Sequence, residues 1–130
     1  MIEFHLNSRS GVSPYLQLVQ QVRQALRLGL LDVGDQLPTV KDVVGSVAIN
    51  PNTVLKAYRE LEHEGLVTAR PGIGTFVTRT LSDGSLASFG PLRRDLQRWL
   101  VKARRAGLDD ESIEALFQDT FRSAVQEGVA

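Results

Sequence analysis

The sequence predicts a mostly α fold with a small β-hairpin: a winged helix-turn-helix followed by a two-helix hairpin. Three observations predict it. Three stretches with apolar residues at helical spacing follow one another between Pro14 and Gly65. Two short β-type runs then flank Pro71-Gly72-Ile73-Gly74. Beyond a Ser- and Gly-rich stretch come two more amphipathic helical patterns.

Each element has a local reason. Residues 1–13 read as an extended arm. Ser13 is a natural N-cap, and Pro14 suits the first helical position, where no amide donor is needed. Tyr15, Val19, Val22 and Leu26 make one apolar face, and Gly29 ends the helix. Residues 30–37 read as a connector with turn chemistry at Val33-Gly34-Asp35, and Pro38 forces a break. Thr39 can cap a short second helix, with Asp42 as its capping-box partner. Val40, Val43, Val44 and Val47 are expected to face inward. Valine is a mediocre helix former, so packing must hold this helix.

Asn50 caps a third helix that starts on Pro51. Val54, Ala57, Tyr58 and Leu61 recur at helical spacing, and Gly65 is the expected stop. Residues 66–70 and 75–78 read as the strands of a hairpin. Residues 81–90 look like a linker, which divides the chain into a winged-helix domain over 1–80 and a tail over 91–130. In the tail, Leu92, Leu96, Trp99, Leu100 and Ala103 form one stripe. Gly107 ends that helix and Asp109 caps the last one, which carries Ile113, Leu116, Phe117, Phe121, Ala124 and Val125.

Composition narrows the chemistry. The 130 residues are 42% hydrophobic, enough for a core. There is no cysteine, which excludes disulfides, thiolate catalysis and cysteine-based zinc sites. His5 and His63 form no metal-binding pair, and no cofactor is expected. No apolar run approaches the roughly 18 residues of a membrane span. Met1 to His5 lacks the features of a signal peptide. A soluble cytoplasmic protein is therefore expected. Fifteen basic residues balance fifteen acidic ones. A nucleic-acid binder of this composition must concentrate its basic residues on one face.

Helix, short helix, tight turn, helix and hairpin, in that order, fit a winged helix-turn-helix that docks on duplex DNA. At about 100° per residue, the third helix presents Asn52, Lys56, Arg59 and His63 opposite its apolar side. The N-terminal end of such a helix normally reaches base edges, so Asn52 and Lys56 are best placed, with Asn50 and Thr53 beside them. Asparagine can bridge adenine N6 and N7, and lysine can donate to guanine or phosphate. First-turn amides are also expected to favour a phosphate. Arg59 lies further back, nearer the DNA backbone. Gly72 and Gly74 let the wing approach a groove, Arg70 sits at its base, and Thr75 offers a hydroxyl. Each has a plainer reading as a cap, a solvated side chain or a hairpin glycine. His63 reads as an exposed surface histidine.

Several ordered motifs carry a resemblance. They are Pro14-Tyr15-Leu16-Gln17, Gly34-Asp35-Gln36-Leu37-Pro38-Thr39, Asn50-Pro51-Asn52-Thr53-Val54, Tyr58-Arg59-Glu60-Leu61-Glu62, Gly65-Leu66-Val67 and Arg70-Pro71-Gly72-Ile73-Gly74-Thr75-Phe76-Val77. Together they resemble the GntR family of bacterial regulators, over roughly residues 13–78. Ile49 to Thr53 and the short tail are most similar to its YtrA subfamily. The resemblance implies a homodimeric transcriptional regulator, usually a repressor, that binds an inverted repeat. It adds Lys41 as a candidate DNA contact, because a basic residue follows the Leu-Pro-Ser/Thr start of the second helix in the family. It also implies contacts at Asn50, Asn52, Thr53 and the Gly72 region. Many relatives have arginine where this chain has Pro51 and Leu55, and a basic wing tip in place of Ile73. Those contacts do not transfer.

The apolar stripes of the tail form more surface than a helical hairpin buries internally. Leaving Trp99, Phe117 or Phe121 in water costs about 1.5–3 kcal/mol each. A symmetric dimer interface is expected over Leu92, Leu96, Trp99, Leu100, Ile113, Phe117 and Phe121. The alternative is a tail folded back on the winged helix. The basic residues of the first tail helix can pair with the acids of the second, stay solvated, or add a DNA contact. The competing function is a protein–protein adaptor, supported by the zero net charge. An enzyme ranks third, since no nucleophile–base pair or metal cluster is legible. A small-molecule effector of unknown identity is left open.

Overall fold

The computed structural model describes residues 2–82 and 89–128. The chain divides into two compact units, Met1–Leu86 and Ala87–Ala130. The first contains α1 (Pro14–Arg27), α2 (Val40–Ser46), α3 (Pro51–His63), β1 (Val67–Arg70) and β2 (Gly74–Val77). The second contains α4 (Gly90–Arg105) and α5 (Asp110–Gln126). Residues 83–88, most of the expected linker, lie outside the described residues. So do residues 129 and 130 of the expected tail.

The core of the first unit is built from one face of each helix. Leu18, Val19, Val22 and Leu26 of α1 meet Val54, Ala57 and Leu61 of α3, with Val43 of α2 beside them. Val67 and Val77 close the cluster from the hairpin. Val44 does not join it: 38% of it is exposed. In a helix of only seven residues, one apolar row can reach the core, and Val43 occupies it. Leu81 also packs against this core, and the Thr80 hydroxyl hydrogen-bonds the Leu26 carbonyl at 3.4 Å. The ordered unit therefore runs past residue 80.

The helix ends follow local chemistry. Thr39 and Asp42 form a reciprocal capping box on α2. Ser13 precedes α1 without a side-chain cap bond; Pro14 itself sets that start. Past the C-cap of α3, Gly65 N–H donates to the Glu62 carbonyl at 2.9 Å and Leu66 N–H to that of Leu61 at 3.0 Å. This pairing uses two otherwise orphan carbonyls and delivers Leu66 into the core.

Two long-range features go beyond what the local sequence signals express. Phe4 of the extended arm is buried in the core. Two glutamines one turn apart on α1 hold the arm there. Gln21 accepts from His5 N–H at 3.0 Å and donates to its carbonyl at 2.6 Å. Gln17, itself buried, accepts from Asn7 N–H at 2.8 Å and donates to the carbonyls of Asn7 and Val12, both at 2.9 Å. The side-chain amides replace a missing strand partner for the arm's backbone.

The second feature is the connector. Its backbone lies along β2: Gly34 N–H donates to the Val77 carbonyl, Val77 N–H to that of Asp35, and Leu37 N–H to that of Thr75, at 2.8–2.9 Å. Gln36 and Phe76 form an isolated antiparallel bridge. The hairpin pairs Val67 with Val77 through Arg70 with Gly74. The wing is thus clamped on its β2 edge by the chain that leads into α2.

Candidate nucleic-acid interface

The first turn of α3 begins at Asn50, whose side chain accepts from Asn52 N–H at 2.8 Å. Thr53 N–H goes to the Asn50 carbonyl at 2.9 Å, and Pro51 has no amide hydrogen. The expected free first-turn amides are therefore already used, so a phosphate here must be held by side chains. Asn52, Lys56, Arg59 and His63 are all exposed, as the helical spacing predicts, while Val54, Ala57, Tyr58 and Leu61 are buried. Thr53 is half-buried.

The structure splits the basic side chains of this face. Lys56 leans toward α1, with its ammonium 3.9 Å from the centroid of the Tyr15 ring. Arg59 lies along its own helix, with Nε donating to the Leu55 carbonyl at 3.4 Å. Its side borders a groove of about 230 Å³ between α3, the start of α2 and the wing, which Thr39, Leu55, Tyr58, Gly74 and Thr75 also line. A second concavity joins Thr39 to Arg70, Gly72, Ile73, Gly74 and Thr75. Thr39, Arg59, Arg70, Gly72, Gly74 and Thr75 therefore border two depressions that share Thr39, Ala69, Gly74 and Thr75. Lys41 is exposed two residues into α2 from Thr39.

Rigid contacts fix the groove walls. The Tyr58 hydroxyl, buried beneath it, donates to the Pro38 carbonyl at 2.5 Å and ties α3 to the entry of α2. Burial, and secondarily Asp42, pushes this hydroxyl well above the usual tyrosine range. Glu62 accepts from Ala69 N–H at 2.7 Å and ties α3 to β1. The Arg70 guanidinium lies 4.9 Å from the Phe76 ring centroid, which holds it over the hairpin.

The two wing glycines have different reasons. Gly72 has a φ of +76° with open space where a side chain would stand. It serves the turn and leaves the tip unobstructed. At Gly74 a φ of +146° disfavours any side chain, and a Cβ would also displace the end of the flexible Gln36 side chain. Ile73 at the tip is 66% exposed. Sequence reasoning does not single out Thr39, Tyr15 or Leu55 as site residues. Thr39 carries only a capping signal, and the roles of the other two depend on what the fold brings near them.

In the second unit, Ala103 of α4 and Ile113 of α5 are buried, and Trp99 and Leu100 are half-buried. Leu92, Leu96, Phe117 and Phe121 remain exposed at 65%, 44%, 44% and 58%. Phe117 and Phe121 stack at 6.0 Å. Arg104 pairs with Asp110 at 3.2 Å. Among the described residues, no His/Asp/Glu group is placed to hold a metal, and no helix is long and apolar enough to cross a membrane.

A capped, polar-faced third helix beside a clamped glycine-tipped wing defines a winged-helix DNA-binding protein of the transcriptional-regulator class. The family model described as bacterial regulatory proteins, gntR family, matches residues 14–77. The HTH-type transcriptional repressor YtrA of Bacillus subtilis (strain 168) is 32% identical over 112 residues, covering 83% of this chain and 84% of that one. This chain belongs to the GntR family and is of the YtrA type, a transcriptional regulator rather than an enzyme. A crystal structure of a transcriptional regulator from Oenococcus oeni matches 91% of this chain and 99% of that one, at 32% identity and a TM-score of 0.50. The AraR DNA-binding domain, solved in complex with operator ORX1, shares the fold at 21% identity and a TM-score of 0.52, over 59% of this chain and 96% of that one.

Proposed function

We propose that this chain is a cytoplasmic homodimeric repressor that binds an inverted-repeat operator, one winged helix to each half-site. The exposed polar face at the start of α3 carries the reading. Asn52 and Lys56 stand free of the core on an N-terminal turn that needs no further capping. These two side chains contact base edges, with Asn50 and Thr53 beside them. Lys41 at the start of α2 and Arg59 and Arg70 around the groove meet phosphates. Gly72, Gly74 and Thr75 bring the wing backbone to the duplex.

The dimer is supported by large apolar side chains left exposed on α4 and α5, among them Leu92, Leu96, Phe117 and Phe121. Trp99, Leu100 and Ile113 line the cleft between the helices that a second copy would extend. Two half-sites about one helical turn apart would then be engaged together, and linkage of the two binding events raises affinity. A dimeric regulator needs no metal or cofactor in this scheme.

Selection of bound fragments from the source genome tests the proposal. The expected result is a palindromic consensus bound by two copies, with affinity falling steeply as salt rises. Binding of the consensus as a single copy would overturn the dimer; enrichment of no consensus, or affinity independent of salt, would overturn the proposal and favour an adaptor role.

A further inference from the structure

We infer that the basic face of α4 is a second, sequence-independent docking surface for the phosphate backbone of duplex DNA. The inference rests on the DNA-binding reading but not on the operator or its symmetry. Charge is distributed unevenly along the chain. Residues 2–82 hold eight basic and seven acidic side chains, so the winged-helix unit is nearly neutral. α4 alone holds Arg93, Arg94, Arg98, Lys102, Arg104 and Arg105 against the single acid Asp95. The densest positive charge of a DNA-binding protein thus lies outside its reading unit.

That charge is organised on one side of the helix. Arg94, Gln97, Arg98, Val101, Lys102 and Arg105 line one continuous surface depression. At about 100° per residue, this face centres roughly 160° from the stripe of Leu92, Leu96, Trp99 and Ala103. A partner that covers the apolar stripe leaves the basic face open. Pairing within the chain does not neutralise it either. Arg98 pairs with Asp95 and Arg104 with Asp110. Among the described residues, Arg94, Lys102 and Arg105 form no ion pair. Cations recurring every three to four residues over three turns present a row of charge, which suits a linear polyanion better than a single anionic group. Charge complementarity therefore selects a nucleic-acid backbone, which binds by release of condensed counterions.

The test uses the full chain and a mixed-sequence duplex, titrated across a salt series. The triple variant Arg94→Gln, Lys102→Gln, Arg105→Gln should flatten the dependence of log affinity on log salt. The expected change is about 0.9 for each phosphate no longer neutralised, or about 2.7 per protomer. Its preference for operator over mixed-sequence duplex should be unchanged. Gln97→Arg adds a charge to the same face and should steepen the slope by about 0.9. It guards against loss of tail structure as the cause of the first result. Slopes unmoved in both variants, with the wild type binding duplex, would overturn the inference and assign the face to an acidic protein surface. A wild type that binds no duplex at any salt would overturn the DNA-binding reading itself.

Discussion

The Lys56 ammonium sits 3.9 Å from the centroid of the Tyr15 ring, which joins α3 to the first turn of α1. Tyr15 is half-buried and Lys56 exposed, so the ring acts as a shelf that limits where a flexible lysine can go. A cation–π contact of this exposure contributes about 0.5–1 kcal/mol. Tyr15→Leu should weaken operator binding several-fold, and Tyr15→Phe, which keeps the ring face, should not. In the Lys56→Ala background the Tyr15→Leu effect should vanish. A double-mutant cycle on duplex affinity checks this; full additivity would separate the two residues.

Asn50 and Asn52 stand two residues apart but do different work. Asn50 closes the first turn through its side chain, whereas the Asn52 side chain has no partner within the described protein. Asn50→Ala should cost about 1 kcal/mol of folding stability, and Asn50→Ser should restore most of it. Asn52→Ala should leave stability unchanged and cost about 1–3 kcal/mol of operator discrimination if it reads a base. Urea unfolding and competition binding on the same variants separate the roles.

What is legible in the sequence is local. Thr39 with Asp42, Asn50 with Pro51, and Gly65 after His63 act on amides or carbonyls within a few residues, so their meaning is written beside them. The α3 face is legible because a helix fixes the direction of every side chain. Gln17 and Gln21 look like polar surface positions; only the returning arm, 10 and 16 residues away, reveals them as hydrogen-bonding anchors. The connector's pairing with β2 spans some 40 residues, and its turn signals conceal it. Val44 fits an apolar pattern but lies on a helix too short to turn two rows inward.

Gln17 yields a stability prediction. It is 8% exposed, and its amide serves the arm at Asn7, Ser10 and Val12. Gln17→Leu keeps the volume but strands the Asn7 and Val12 backbone groups and the Ser10 hydroxyl. Since the arm can partly regain water, the cost should be about 2 kcal/mol, within the range for unsatisfied buried groups. Denaturant unfolding should show a lower midpoint. Amide exchange should quicken first at Asn7, and an unchanged rate there would mean the arm is held by Phe4 alone.

Tyr58 makes stability depend on alkaline pH. Burial raises the folded-state pKa above the unfolded value near 10. The folded state therefore holds its proton more tightly. The associated stability is fully present below about pH 10 and is lost as pH rises beyond it, by at most about 1.4 kcal/mol per unit. Tyr58→Phe removes the hydroxyl bonded to Pro38, so it should be less stable than wild type at neutral pH. The gap should narrow above pH 10. A constant gap across that window would mean Tyr58 ionises as freely in the folded protein as in the unfolded one.

The proposed tail interface is best probed at Phe121 rather than Trp99. Trp99 is half-buried within its own hairpin, so Trp99→Asp would damage the tail as well as any dimer. Phe121 is 58% exposed, and its ring stacks on that of Phe117 on the same helix. An aspartate there is solvated in a monomer and buried without a partner in a dimer, where an unpaired charge costs several kcal/mol. Phe121→Asp should therefore keep helical content and the winged-helix fold while shifting the protein to monomers in light scattering. Binding to a single half-site should be unchanged, while binding to the paired site should fall toward the single-site value. If Phe121→Asp remains dimeric, the exposed apolar face of α5 is not the surface that joins the two copies.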